Sequence, residues 1–158
     1  MIANLPSVPL IDDPLLGFRF GVFFLGKLGI AHPLDFRFQE ISGLEAHLEV
    51  SPLSALGQGS NARQLPEKTK YQNLVLTRGM PVLSTLRMEI QDSLAASRGV
   101  ARDVLISILD ENGLPLNNWL FSDAYPVRWS LSGLNASSGQ VVIETIELTY
   151  SKFKAFSL

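Results

Sequence analysis

The chain has 158 residues, a length that fits one domain able to bury roughly 70% of its unfolded surface. Fifteen acidic residues against thirteen basic ones leave a formal net charge of −2, which argues against the basic face that nucleic-acid binding needs. The absence of cysteine excludes a disulfide framework and a thiolate metal site, and a charged fraction of 18% is low against a typical ~25%, leaving either an oily monomer or a surface that partners cover.

Residues 1–16 are apolar but broken by Pro6, Pro9 and Pro14, carry no basic residue and contain the pair Asp12-Asp13. A secretion signal begins with positive charge and continues as an unbroken apolar run, so this segment does not fit one. No window approaches the ~20 apolar residues of a membrane helix. The prolines forbid helix, and leucines such as Leu5 and Leu10 want a surface to lie on. The expectation is an extended N-terminal arm over 1–16, lying on its own domain or on a neighbour, followed by a single domain over 17–158.

From Gly17 the chain reads as strands. Phe18, Phe20, Val22 and Phe24 fall on one face, and Arg19, Gly21, Phe23 and Leu25 on the other. Lys27 to Pro33 reads as a loop. Phe36 and Phe38 then alternate with Arg37 and Gln39, apolar inward and polar outward. At Ile41-Ser42-Gly43-Leu44 the alternation changes phase, and Gly43 marks a bulge or sharp bend. Beyond it Leu44, Ala46, Leu48 and Val50 point one way, with Glu45, His47 and Glu49 opposite.

Residues 51–69 carry turn formers and no period, which predicts a long loop. Gly57 and Gly59 lack the Gly-Lys-Ser/Thr that would make them a phosphate cradle. Leu53, Leu56 and Leu65 are apolar residues in an aperiodic stretch, poorly explained by exposure to water. With Leu5 and Leu10 they are the candidate contacts with a neighbouring subunit.

Tyr71 to Arg78 suits a strand that Gly79 ends. Pro81 fits a first helical turn, and Leu83, Leu86, Ile90 and Leu94 recur at helical spacing, with Ser84, Glu89, Gln91 and Asp92 away from that stripe. This is the single helix the sequence predicts, and it must lie on or beside a sheet. Val104 to Leu109 reads as a strand buried on both sides. Asp110-Glu111-Asn112-Gly113 supplies a hairpin turn, its Asn-Gly pair suited to positive φ. Trp119 and Phe121 share one face of the next strand, Tyr125-Pro126 interrupts it, and Val127, Trp129 and Leu131 resume it. Val141 to Tyr150 is the last strand, and Lys152 to Leu158 a short tail. The fold class is therefore mainly β, a single barrel or sandwich of about seven strand segments with one flanking helix.

Catalysis by a nucleophile and base wants histidine near Ser or Cys with an orienting carboxylate. His32 sits in a Gly/Pro loop instead, and His47 shares a strand face with Glu45 and Glu49. Such a row is formally able to present metal ligands, but an alternating charged face is the ordinary outer surface of a strand. Glu144 and Glu147 are three apart on a strand, hence on opposite faces, which disfavours a carboxylate pair. These residues predict neither an enzyme nor a cofactor. A monomeric β-barrel binding a small apolar ligand is the alternative reading that the residues alone leave open.

The order of short signals resembles a known family. Ile41-Ser42-Gly43-Leu44, Gly59-Ser60-Asn61, Leu65-Pro66 and Tyr71-Gln72-Asn73-Leu74-Val75-Leu76-Thr77-Arg78-Gly79 occur in sequence. The turn at Asp110-Glu111-Asn112-Gly113, Trp119, Tyr125-Pro126-Val127 and Ile143-Glu144-Thr145-Ile146-Glu147-Leu148 follow. Together, over roughly Phe18 to Phe153, they are similar to the tail tube proteins of contractile phage tails and related bacterial injection systems. The resemblance implies a β-barrel with a helix on its flank, hexameric rings stacked into an inner tube, and cargo passing through the lumen. It implies neighbouring tube rings, a sheath, and a baseplate hub or spike as partners. It also implies assembly in the bacterial cytoplasm, then residence in a virion tail or extracellular particle, without signal peptide or membrane span. The proline-rich opening departs from the commonest tube pattern and looks more like a tube-initiator layer beside the baseplate spike, so both roles are expected.

Overall fold

The computed structural model describes residues 19–26, 29–30, 35–52 and 64–156. Within them the chain forms β1 (Arg19–Gly26), β2 (Gly29–Ile30), β3 (Glu40–Ser42), β4 (Ala46–Pro52), β5 (Gln64–Tyr71), β6 (Leu74–Gly79), α1 (Thr85–Ala95), β7 (Arg102–Leu109), β8 (Pro115–Leu131), β9 (Ile143–Thr149) and β10 (Lys152–Phe156). The expected class, mainly β with one helix, is what forms. The strands number ten among the described residues rather than seven, because β2, the ribbon strand β5 and the supposed tail, β10, are all paired.

Eight strands make one antiparallel sheet ordered β2-β1-β7-β8-β9-β6-β3, with β10 also paired to β8. Strand β8 is the hinge of this arrangement. Its first part pairs with β7 and β10, and from Tyr125 onward it pairs with β9. Tyr125-Pro126 therefore bends the strand without interrupting it. Register slips occur between Arg102 and Val104 on β7 and between Pro126 and Arg128 on β8. Asp123 adopts a φ of 55°, and its N–H donates to Asp103 Oδ1 at 3.1 Å. Such bulges increase twist and let one strand serve two layers.

The core lies between those layers. Alternation places Val22 and Phe24 of β1, Val104 and Ile106 of β7 and Phe121 of β8 inside. Leu74 and Leu76 of β6 and Ile146 and Leu148 of β9 also turn inward, and Leu86 and Ile90 of α1 complete the cluster. Phe121 is fully buried while Trp119, on the same face, is half-buried at its edge. Strand β7 is less enclosed than expected, since Leu105 and Leu109 remain half-exposed.

Among the described residues the strands do not close into a hydrogen-bonded barrel. Residues 35–39, expected as a strand, run between β1 and β6 as irregular chain. The Val22 N–H donates to Phe36 O at 2.9 Å and the Gln39 N–H to Thr77 O at 2.8 Å. The predicted alternation survives there: Phe38 is buried, and Phe36 stacks on Phe23 with ring centres 5.8 Å apart. At Gly43 the chain takes a φ of 88°, where a Cβ would lie 1.9 Å from Asn73 O. The phase change at this position therefore requires glycine.

Candidate assembly surfaces

A buried ionic cluster fixes the helix on the sheet. Arg78 of β6 donates from Nε to Glu144 Oε2 at 2.7 Å, from Nη1 to Asp35 Oδ1 at 2.9 Å and from Nη2 to Ser84 Oγ at 2.9 Å. Its guanidinium also lies 4.8 Å from the Phe38 ring centre. Trp129 Nε1 donates to the other Glu144 oxygen at 2.8 Å. Ser84 is the helix N-cap: its Oγ accepts from the Arg87 N–H at 3.0 Å and donates to Asp35 Oδ1 at 2.7 Å. Asp35 Oδ2 accepts from the Leu86 N–H at 3.2 Å, so a carboxylate completes the helix start. Burial pushes the Asp35 carboxyl up, but the hydrogen bonds from Ser84, Leu86 and Arg78 and the Arg78 charge outweigh it and hold the group below its usual range. The predicted helix start at Pro81 is corrected by this geometry. Leu83 lies outside the helix at 88% exposure, and Ser84, placed off the apolar stripe, is buried as the cap. Arg87 is buried as well, donating to Pro81 O and Val82 O.

The second feature is the β4–β5 ribbon. The predicted loop over 51–69 is in part this ribbon, with Val50 paired to Pro66, Ser51 to Leu65 and Pro52 to Gln64. Its side chains are exposed along almost the whole length, including Leu48, Val50 and Leu65. Lys70 pairs with Glu49 across the ribbon. The base is anchored by aromatics: the Tyr71 ring lies 5.9 Å from Tyr150 and 5.4 Å from Phe153, and Phe121 stands 4.8 Å from Tyr150. Burial, together with Tyr71, pushes the Tyr150 phenol up to about 12.

Of the predicted contact residues, Leu65 is placed on β5, in an exposed strand rather than a loop. Leu5, Leu10, Leu53 and Leu56 lie outside the described residues, as does the arm over 1–16. The Glu45, His47 and Glu49 row is not a ligand set: Glu49 is taken up by Lys70, and among the described residues no three His, Asp or Glu side chains converge on a metal-sized site. No helix among the described residues is long and apolar enough to cross a membrane. The residues that sequence reasoning missed are Asp35 and Glu144. Glu144 sat in plain view as a carboxylate on the apolar face shared with Ile146 and Leu148, a pattern that demands a buried cation.

The fold has known counterparts. A chain in the electron cryo-microscopy structure of the anti-feeding prophage baseplate, six-fold symmetrised, is 36% identical over 92% of this chain and 97% of its own, with a TM-score of 0.81. A chain of the anti-feeding prophage tube-terminating cap superposes with a TM-score of 0.78 at 20% identity, covering 99% and 100% of the two chains. A chain of the sheath–tube complex of an extracellular contractile injection system superposes at 0.74 with 21% identity, covering 94% and 95%. No curated protein sequence matches. The model of the T4-like virus tail tube protein gp19 family matches residues 16–154, and the chain belongs to that family of structural, non-enzymatic tube proteins of contractile tails and injection particles.

Proposed function

We propose that this tube protein forms six-membered rings and serves as the tube-initiator layer next to the baseplate, rather than as the repeating tube subunit. The observation that carries the reading is the contrast in relatedness. Identity is 36% to a baseplate chain but 20–21% to chains of the terminating cap and of the sheath–tube complex. The six-fold symmetrisation of that baseplate structure supports the ring number.

The ribbon supports contact between successive layers. An isolated two-stranded hairpin is marginal in water, and this one buries little against its own domain. A neighbouring ring that covers Leu48, Val50 and Leu65 would supply the missing burial. Leu53 and Leu56, which follow β4 in the sequence, are the proposed anchors, with the sheath and baseplate hub as outer and lower partners. Replacing Leu53 and Leu56 with Ser leaves rings intact but abolishes their stacking or docking, which electron microscopy of variant and wild-type particles reads directly. Normally assembled particles from the variant would reject that role.

Copy number separates initiator from tube. Quantitative mass spectrometry of purified particles should find six copies whatever the tube length. Copies that rise in proportion to tube length would make the chain the repeating subunit.

A further inference from the structure

Between the C-terminal half of α1 and the bend of β8 lies an apolar groove of about 280 Å³. Phe24, Ile90, Ala96, Ala124 and Leu148 line it, and Val100, 59% exposed, forms a lip. At its rim Arg102 Nη2 pairs with Glu89 Oε2 at 2.8 Å. Asp92 is the other rim carboxylate, and Arg98 has no ion pair among the described residues. The groove is thus an apolar trough with one uncommitted cation at its edge.

The eighteen residues before β1 match that description in reverse. Leu5-Pro6-Ser7-Val8-Pro9-Leu10-Ile11 is apolar and is followed directly by Asp12-Asp13. Its prolines favour a polyproline II conformation, which needs no strand partner and loses little entropy on docking. Three residues per turn would put Leu5, Val8 and Ile11 on one edge. Reach fits as well. The groove lies at the Phe24 end of β1, about 17 Å from Arg19 at ~3.3 Å per residue. Asp13 stands six residues before Arg19 and can extend at most about 20 Å from it.

We infer that the chain's own arm, Leu5 to Ile11, covers this groove, with Asp12-Asp13 beside Arg98. A tethered segment has an effective concentration on the order of millimolar, which favours it over the arm of another copy at micromolar protein. Leu5 then serves its own subunit rather than a neighbouring ring, and the inference does not depend on ring formation.

The cysteine-free sequence makes the test clean. In full-length protein carrying Val8→Cys and Ala96→Cys, a short bis-maleimide should give an intramolecular product. Its yield should exceed at least tenfold that of Val8→Cys with Leu134→Cys, whose partner site is an exposed turn outside the groove. Cross-links between chains, or equal yields from both pairs, would overturn the inference. A second readout leaves the arm untouched: the single variant Ala96→Cys should react with maleimide at least tenfold more slowly than Leu134→Cys. In the Ala96→Cys background, Val8→Asp with Ile11→Asp should remove that protection. Equal rates for the two single cysteines would also overturn the assignment.

Discussion

Removing the Arg78 side chain would strand two carboxylates, Glu144 at 0% exposure and Asp35 at 5%. An uncompensated buried charge is among the most destabilising single changes, so Arg78→Ala should cost about 3–5 kcal/mol in urea denaturation. A loss below ~1 kcal/mol would mean that the cluster is hydrated and does not hold the helix. Asp35 adds a pH dependence whose sign follows from its depressed pKa. Its ionised form contributes stability that is fully present above the ordinary value of 3.8 and is lost as pH falls through the lower folded value. The stability gap between wild type and Asp35→Asn should therefore be flat well above 3.8 and shrink below it in acid titrations. A gap that widens on acidification would contradict the hydrogen-bond geometry. Glycines make a matched pair of probes at the same scale. Gly43 and Gly113 have φ values of 88° and 82°, yet an added Cβ meets Asn73 O at Gly43 and open space at Gly113. Gly113→Ala should cost the left-handed penalty alone, about 1–2 kcal/mol. Gly43→Ala should cost more, and thermal melts of the two variants that coincide would refute the close approach.

Elements were legible where one period ruled them. Strand β6 at Leu74–Gly79 and strand β9 at Ile143–Thr149 follow the alternation of their residues, and α1 follows the Leu86 and Ile90 spacing. Legibility failed where a distant partner decides. The helix starts at Thr85 because Ser84 caps it against Asp35, forty-nine positions earlier, which no local period reveals. Residues 64–70 look aperiodic because β5 is exposed on both faces, so no buried side imposes alternation. Tyr125-Pro126 looks like a break because proline cannot donate to a ladder, yet the bend there carries β8 from one layer to the other. In the turn after β7, Gly113 alone of the Asn-Gly pair takes positive φ. Asp110 does the rest, its Oδ1 accepting from the N–H groups of Asn112 and Leu114 at 2.8 Å each. For the candidate surfaces, sequence reasoning singled out the stretch around residue 65 but mistook a ribbon for a loop.

For the whole molecule, no catalytic constellation pointed to function; the order of Ser-Gly-Leu, the Asn-Leu-Val-Leu-Thr-Arg-Gly run and the aromatic-proline turn did. Those signals mark backbone events now visible: the Gly43 bend, the strand bearing Arg78, and the β8 hinge. Barrel closure was not legible, because it depends on whether residues 35–39 pair fully with β1 and β6 or bridge them by single bonds. Among the described residues the open sheet leaves strand edges at β2, β3 and β10, and unpaired edges readily accept a neighbouring chain. Ring formation through such edges is the central proposal, and native mass spectrometry over a concentration series tests it most directly. A dominant species at six times the 17.4 kDa chain mass is the expected result. A monomer that persists at the highest concentration would contradict it.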